Sequence, residues 1–396
     1  RGIFIHWHLA EHETPNKHYY GSEAIPSLRQ LFYRMMVARF GHHNGIKWNL
    51  MEETTWDEND RRAQAAYLKA IDPYDHPVTF QLGGIGLDFE EYDLHLGETN
   101  FDSFSFQGNN SNDVMWNEIR DSISASVTAG APWTAAWDEP QKIENDLTDN
   151  VNGYPLGRYG KMWPCLMAGG DGFMWYIQQD GGGHGFDQQI EDFSIMGPAM
   201  NWSRYIRDNL GTLPLLAMVP TSEGLNEGLS VSSRPAYMFS KPGACYAIYR
   251  RDGGDGISLD LSAASGTFSV RWFDPRNGGF HTGTKMTVEG GAVVDLGAAP
   301  NSLTEDWAVL VEATARIAYL YGDVSSDGDV PSGSKAPYDQ MLLTDTGNTG
   351  ISMFGAMVES EGYTIDGFYD QATTLDASFL SQFDVVIFGL HQKIWS

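Results

Sequence analysis

Short apolar runs alternate with longer amphipathic stretches up to about residue 209. Six of the runs predict β-strands, at 2–8, 46–51, 78–82, 101–107, 132–137 and 172–178. Between them, apolar residues recur at helical spacing in 27–40, 57–71 and 115–129, and Asp57 is placed to cap the second of these helices. Regular alternation of strands and helices predicts a parallel α/β sheet for residues 1–209.

The pattern changes in residues 210–314. Short strands are predicted at 244–250, 256–261, 268–273, 285–288 and 307–311, with turns of Gly, Asn and Pro between them, as in Arg276-Asn277-Gly278-Gly279. No stretch with helical spacing intervenes. This pattern of short strands separated by turns predicts a small antiparallel β-sandwich.

A third pattern occupies residues 315–396. Strands are predicted at 316–321, 364–368 and 385–388, with helices at 350–361 and 375–382. This is the opening of a doubly wound α/β domain of the flavodoxin-like or Rossmann-like kind, with too few strands to close a core. We therefore expect three domains, 1–209, 210–314 and 315–396, within a fragment of a longer multidomain protein.

The composition narrows the range of partners. The formal net charge of −27 disfavours binding to nucleic acid or to anionic lipid, and no apolar run is long enough to cross a bilayer. Aromatic residues make up 13% of the chain, and flat rings of this kind stack on sugars as well as filling cores. The composition therefore predicts no nucleic-acid partner and no membrane insertion.

The sequence carries no complete signature for a cofactor or a metal. Cys165 and Cys245 fit neither a disulfide framework nor a metal site, and we expect two small buried side chains. The acids and histidines at 8–13 match no zinc spacing, and the Asp-rich run at 323–329 lacks the acid that a calcium loop needs where Ser334 stands. The glycine-rich run 181–185 is not followed by a phosphate-binding Lys. The sequence predicts no metal and no cofactor.

Several motifs carry a resemblance to a known family. Trp48-Asn49-Leu50-Met51-Glu52-Glu53, the runs 104–108 and 137–140, and the run 167–176 resemble the apiosidase-like glycoside hydrolases. The runs 246–249 and 270–279 resemble the β-sandwich domain, labelled collagen-binding, that follows such barrels. The resemblance covers residues 1–312 and implies a (β/α)₈ TIM barrel entered at its third strand, so that strands three to eight are present and the barrel is incomplete.

Glycoside hydrolysis uses two carboxyl groups that flank the scissile bond, and barrel enzymes hold them at the C-terminal ends of strands. Two predicted strands end in such acids, Glu52-Glu53 and Asp138-Glu139, and the resemblance makes these strands four and seven. Alternation along strand four places Glu53 on the inner face with Asn49, which favours Glu53 as acid/base. Position and resemblance favour Glu139 as nucleophile, with Asp138 as the alternative.

Other residues near the strand ends are candidate sugar contacts. His6 and His8 share a strand face, although core histidines are an equal interpretation. Trp137, Trp175 and Tyr176 offer rings for stacking, and at least one of them is expected in the core. The full set of candidate contacts is His6, His8, Asn49, Glu52, Gln81, Gln107, Trp137, Asp138, Trp175 and Tyr176.

These features predict a secreted or periplasmic glycoside hydrolase acting on a plant or algal polysaccharide. A non-catalytic carbohydrate-binding or adhesion protein on a barrel scaffold is the alternative, because a fold does not by itself fix a function. A polysaccharide lyase ranks third, since it needs a basic residue to neutralise a uronate while the strand ends offer acids. The sequence leaves open whether hydrolysis would retain or invert the anomeric configuration.

Overall fold

A computed structural model gives the fold of the chain. It describes residues 5–10, 25–53, 56–82, 89–108, 112–140, 143–144, 147, 155–178, 196–220, 225–226, 236–251, 256–301, 305–314, 316–321, 364–369 and 385–389. The Asp-rich run 323–329, the glycine-rich run 181–185 and the acids and histidine at 11–13 lie outside these residues.

The first part of the chain forms parallel strands in sequence order. They are β1 (Ile5–His8), β2 (Ile46–Asn49), β3 (Val78–Thr79), β4 (Ser103–Gly108), β5 (Thr134–Pro140), β6 (Ile143–Glu144), β7 (Gly172–Phe173) and β8 (Ile177–Gln178). Strands β1, β2 and β3 form one sheet and β4, β5 and β7 another, joined by a parallel bridge between Gln81 and Ser105. Strand β6 pairs with β8 in parallel. The predicted parallel α/β arrangement is confirmed.

Helices accompany these strands, and the three at 27–40, 58–71 and 112–128 were predicted from the sequence. They are α1 (Ser27–Phe40), α2 (Glu58–Ile71), α3 (Phe89–Asp93), α4 (Asn112–Thr128), a π-helical segment (Leu156–Met162) that runs into α5 (Trp163–Met167), and α6 (Gly197–Leu210). Helix α2 begins where the predicted cap Asp57 accepts a hydrogen bond from the amide of Asp60 at 3.0 Å.

The strands bury an apolar outer face and a polar inner face. On the outer face, Trp48 is fully buried and its indole N–H donates to Asp72 at 2.9 Å in the loop after α2. On the inner face, His6 of β1 reaches Asp138 of β5, with 3.5 Å between Nδ1 and Oδ1. Since three strands separate β1 from β5, this contact requires the sheet to curl into an arc like the wall of a barrel.

Antiparallel strands follow. They are β9 (Val219–Pro220), β10 (Leu225–Asn226), β11 (Ala236–Lys241), β12 (Cys245–Arg250), β13 (Ser258–Asp260), β14 (Thr267–Phe273), β15 (Phe280–His281), β16 (Thr287–Glu289), β17 (Val293–Asp295) and β18 (Trp307–Ala313). One sheet has the order β15-β14-β18-β12-β11-β9, with β16 also pairing β14, and the other has the order β10-β13-β17. Between them lies a core that includes Ile248, Leu259 and Trp272.

Strand β11 was not predicted from the sequence, and both of its faces are buried. Tyr237 and Phe239 face the core that the barrel shares with this sheet, whereas Ala236 and Met238 face the sandwich core. Because both faces of β11 are buried, the run lacks the alternation of apolar and polar residues that identifies a half-exposed strand.

The antiparallel sheet packs directly on the barrel helices. Trp163 of α5 stacks on Tyr249 of β12 with ring centroids 4.5 Å apart. Beside them, the buried Arg158 makes two hydrogen bonds to Asp306 at 3.0 and 2.8 Å, and Tyr249 donates to the same carboxylate at 2.9 Å. A buried charge is tolerated only when it is paired and hydrogen-bonded, which is the arrangement here.

The last described strands are β19 (Arg316–Tyr321), β20 (Thr364–Tyr369) and β21 (Val385–Gly389). They are parallel, in the order β20-β19-β21, as in a doubly wound sheet that is built outward in both directions from its first strand. The predicted helices 350–361 and 375–382 lie outside the described residues, and the domain boundaries stay predictions. Within the described residues, no helix has the length and apolar character needed to span a membrane.

The buried ion pair between barrel and sandwich allows a prediction about the stability of the protein. Asp306→Ala leaves the buried Arg158 guanidinium without its carboxylate, and we expect the free energy of unfolding to fall by about 3–5 kcal/mol. Asp295→Ala is the matched control, because the pair of Asp295 with Lys285 is exposed and surface pairs contribute at most about 1 kcal/mol. Chemical denaturation followed by tryptophan fluorescence measures both, and equal losses would contradict the prediction.

Candidate active site

Acidic side chains meet at the C-terminal ends of the parallel strands, which is where barrel enzymes hold their reacting groups. Glu52 and Glu53 follow β2, and Asp138 and Glu139 lie near the end of β5. The four carboxyl groups differ in their contacts.

A β-bulge decides the orientation of the two acids on β5. Phe106 pairs with Trp137, but the next residue of β4, Gln107, pairs with Glu139, so that Asp138 is the extra residue. Asp138 accepts a hydrogen bond from Ser105 Oγ at 2.6 Å, and Glu139 accepts one from Gln81 Nε2 at 3.0 Å. A bulge re-aims side chains in this way, and both acids therefore lie on the inner face. Simple alternation in the sequence could not resolve this.

The chain after β2 also departs from strand alternation. The amide of Glu52 donates to Ala10 O at 2.9 Å, and that of Glu53 donates to Gln81 O at 3.2 Å. Glu53 has φ 51°, in the left-handed region that a residue in a strand does not adopt. The face argument that singled out Glu53 therefore does not extend beyond Asn49.

Glu52 and Glu53 have different partners. The carboxyl group of Glu52 shares a hydrogen bond with that of Glu139, and its Oε2 lies 3.2 Å from His8 Nδ1. The carboxylate of Glu53 instead accepts a hydrogen bond from Gln107 Nε2 at 2.5 Å. The structure thus brings together Glu52 and Glu139, with Glu53 beside them.

The local environment shifts the pKa values of Glu52 and Glu139 in opposite directions. Burial, the nearby charges of Glu52 and Glu53, and the hydrogen bond to Glu52 raise the pKa of Glu139 to about 7. The hydrogen bond from His8 outweighs burial and holds the pKa of Glu52 below its ordinary value. As the pH falls below about 7 the pair therefore takes up one proton, which resides mainly on Glu139.

Asp138 has a different role from its neighbour. Burial acts to raise its pKa, but the hydrogen bond and charge of His6, the charge of Lys47 and the hydrogen bond from Ser105 together hold it below the ordinary value. Lys47 is itself buried and donates to Ser103 Oγ at 3.1 Å. Asp138 is a fixed anion beneath the pair, and its surroundings do not favour it as the alternative to Glu139.

The predicted amide contacts lie below the carboxyl groups. Asn49 is fully buried, its Oδ1 accepts from the Met51 amide at 3.2 Å, and its Nδ2 lies 3.5 Å from Gln81 Oε1. Gln81 in turn donates to Glu139. Gln81 thus positions Glu139 directly, and Asn49 acts on Glu139 through Gln81.

The three aromatic residues predicted to stack on sugar, Trp137, Trp175 and Tyr176, lie in three different environments. Trp137 is fully buried against Phe106 on the outer face of β5, so its assignment as a sugar contact was wrong. Trp175 points toward α6, where its indole N–H donates to Ser203 Oγ at 2.9 Å. Tyr176 lies by the acidic pair, and burial followed by the charges of Glu139 and Glu52 raises its pKa.

Sequence reasoning missed two supporting residues, Ser105 and Lys47. The signal was present in β4, where Ser103, Ser105 and Gln107 alternate with Phe104 and Phe106. This alternation marks a polar inner face against an apolar outer one. In the described part of the chain, no group of three or more His, Cys, Asp or Glu side chains is arranged to hold a metal ion.

Comparisons with known proteins show similarity in the fold alone. No protein-family model matches the chain, and no curated protein matches it in sequence. Among solved structures, a glycoside hydrolase family 5 protein from Bacteroides vulgatus superposes with a TM-score of 0.59 and 18% identity, over 79% of this chain and 71% of that one. Another structure, named a glycoside hydrolase, gives a TM-score of 0.53 and 17% identity, over 72% and 68% of the two chains.

These similarities show a shared fold, while the resemblance to the apiosidase-like group and to the collagen-binding-type domain stays a prediction. The chain has the barrel fold of these glycoside hydrolases, with an antiparallel sheet packed on it.

Proposed function

We propose that this protein is a glycosidase whose catalytic carboxyl groups are Glu52 and Glu139. The observation that carries the proposal is the contact between these two side chains at the C-terminal ends of two parallel strands, with the pKa of one raised to about 7. Hydrolysis of a glycosidic bond begins from one carboxylic acid and one carboxylate, and this pair holds one proton near neutral pH.

The roles within the pair follow from position. The resemblance implies an acid/base on strand four and a nucleophile on strand seven, which makes Glu52 the acid/base and Glu139 the nucleophile. In the free site the proton favours Glu139. For Glu52 to act as the acid, the proton must pass from Glu139 to Glu52 when a sugar enters the site. A nucleophile at Glu139 implies a retaining mechanism, in which the two carboxyl groups stand about 5–5.5 Å apart once a sugar lies between them.

Glu53 supports the pair in this proposal. Its charge helps to raise the pKa of Glu139, and Gln107 holds its carboxylate. Glu52 acts on Glu139 through a hydrogen bond as well as through charge. The role of acid/base, expected at Glu53 from strand alternation, therefore passes to Glu52.

The substrate we propose is an uncharged sugar unit of a plant or algal polysaccharide, met outside the cytoplasm. Glu52, Glu53, Asp138 and Glu139 converge on the site, and such a cluster repels an anionic sugar ring. The alternative, a non-catalytic carbohydrate-binding protein, gives no reason for a carboxyl group held near pKa 7, since binding needs no proton donor.

The proposed function makes a prediction about Glu52 and Glu139 themselves. Glu52→Gln and Glu139→Gln should each lower kcat on activated aryl glycosides by about 100-fold or more, because each removes one of two required carboxyl groups. Glu53→Gln is the neighbouring control and should cost less than about 10-fold, since its amide can keep the contact with Gln107. Parental activity in Glu52→Gln and Glu139→Gln would contradict their catalytic roles, and a parent protein without hydrolytic activity would support the binding-protein alternative.

Rescue by azide assigns the roles. Azide added to Glu139→Ala should give a glycosyl azide of inverted configuration, because azide replaces the nucleophile, and added to Glu52→Ala it should give the retained configuration. NMR of the products reads out the anomer. The opposite pattern would exchange the two roles, and no rescue in either variant would overturn the retaining mechanism.

A second prediction concerns pH. The pair must keep one proton, so kcat/KM should fall as pH rises through about 7, where Glu139 loses its proton. Glu52→Gln removes a negative neighbour, and the titration midpoint of Glu139, followed by ¹³C NMR of labelled glutamate carboxyls, should move to lower pH. An unchanged midpoint would show that Glu52 does not set the acidity of Glu139.

A third prediction tests the class of sugar. Aryl glucosides and galactosides should be hydrolysed with a kcat/KM at least about 10-fold higher than the matching glucuronides and galacturonides. The cause is repulsion between the uronate and the acidic cluster, so the ratio should shrink as salt screens the charges. Equal or better hydrolysis of the uronides would contradict the proposed substrate class.

A further inference from the structure

The segment that carries Tyr176 runs beside the acidic end of β5. The amide of Met174 donates to Trp137 O at 3.0 Å, and the amide of Ile143 donates to Tyr176 O at 2.8 Å. Tyr176 is therefore tied on both sides to the stretch of chain that contains Glu139. Tyr176 is itself buried, and the charges of Glu139 and Glu52 act on its hydroxyl group.

The π-helical segment Leu156–Met162 holds this stretch from behind. A side chain at Gly157 would place its Cβ 2.5 Å from Trp175 Cζ3 and 2.7 Å from Ile143 Cδ1. These distances are too short for any carbon contact, so only glycine lets the segment pack against both residues. π-helical turns are frequent at functional sites.

The next residue of the segment, Arg158, joins it to the antiparallel sheet. Arg158 pairs with Asp306 through two hydrogen bonds, and its guanidinium lies 4.5 Å from the ring centroid of Trp202 on α6. Trp202 in turn lies 6.0 Å from Trp175, measured between ring centroids. A continuous set of packed and hydrogen-bonded groups thus runs from Asp306 to the residue that precedes Tyr176.

We propose that the docked β-sandwich positions Tyr176 against Glu139, with Asp306, Arg158 and Gly157 as positioning residues for the catalytic pair. The inference rests on the proposed function for its catalytic meaning, but its geometry does not. The sandwich then influences the catalytic pair by holding the barrel segment behind Tyr176, without contacting the substrate itself. Loosening the segment would let water reach Glu139, whose proton is retained chiefly by burial.

Gly157→Ala is the most direct test, since its methyl group pushes Trp175 and Ile143 while leaving every charge in place. Asp306→Asn is the second variant, because it weakens the hold on Arg158 from the sandwich side. Both should lower the titration midpoint of Glu139 from about 7, as read by ¹³C NMR of the labelled carboxyls. Both should also lower kcat by about 10-fold or more with little change in KM.

Two controls separate positioning from general destabilisation. Gly197→Ala adds a methyl group at the start of α6, where no atom lies within 4 Å of the new Cβ. Asp295→Asn removes a charge from the exposed pair in the same sandwich. Neither should move the midpoint of Glu139, whereas Tyr176→Ala, the positive reference, should lower it.

The outcomes are distinct. A midpoint unchanged in folded Gly157→Ala would overturn the positioning role, as would an unchanged midpoint in Tyr176→Ala. If the midpoints move as expected but the parent protein hydrolyses no glycoside in the panel, the coupling stands and the proposed glycosidase function fails.

Discussion

A network of buried polar side chains across the inner face of the parallel sheet holds the rest of the site in place. Asp138 lies at its centre, reached by His6 from β1 and by Ser105 from β4. A buried carboxylate is costly unless its oxygens are paired, so the strands around it must supply donors on their inner faces. This requirement explains why the inner face is polar even though it is buried.

The same network makes the acidic end of the barrel asymmetric. Asp138 has enough donors and positive neighbours to stay ionised, whereas Glu139 is partly buried beside the charges of Glu52 and Glu53 and holds its proton to a higher pH. Adjacent residues of one strand therefore differ in protonation near neutral pH. Acid/base chemistry requires one protonated and one ionised carboxyl group. The bulge in β5 turns both Asp138 and Glu139 to the inner face, where their environments differ in this way.

The packing of the antiparallel sheet gives this arrangement a second layer of support. Trp163 and Tyr249 stack across the interface, and the pair of Arg158 with Asp306 is buried beside them. An interface of this kind fixes orientation, because a buried ion pair tolerates little displacement before its charges are left without partners. The barrel segment behind Tyr176 is thus held by a residue 148 positions away in the chain.

The sequence by itself determined the order of strands and helices, since apolar spacing and caps such as Asp57 depend on local chemistry. It also located the four acids, because they directly follow predicted strands. Strand β11, which is buried on both faces, was not predicted, and Trp137 was misassigned because the side of the strand on which it lies depends on packing. Only the tertiary structure decided that Glu52 rather than Glu53 touches Glu139, since this depends on a left-handed residue, a bulge and strands brought together by curvature.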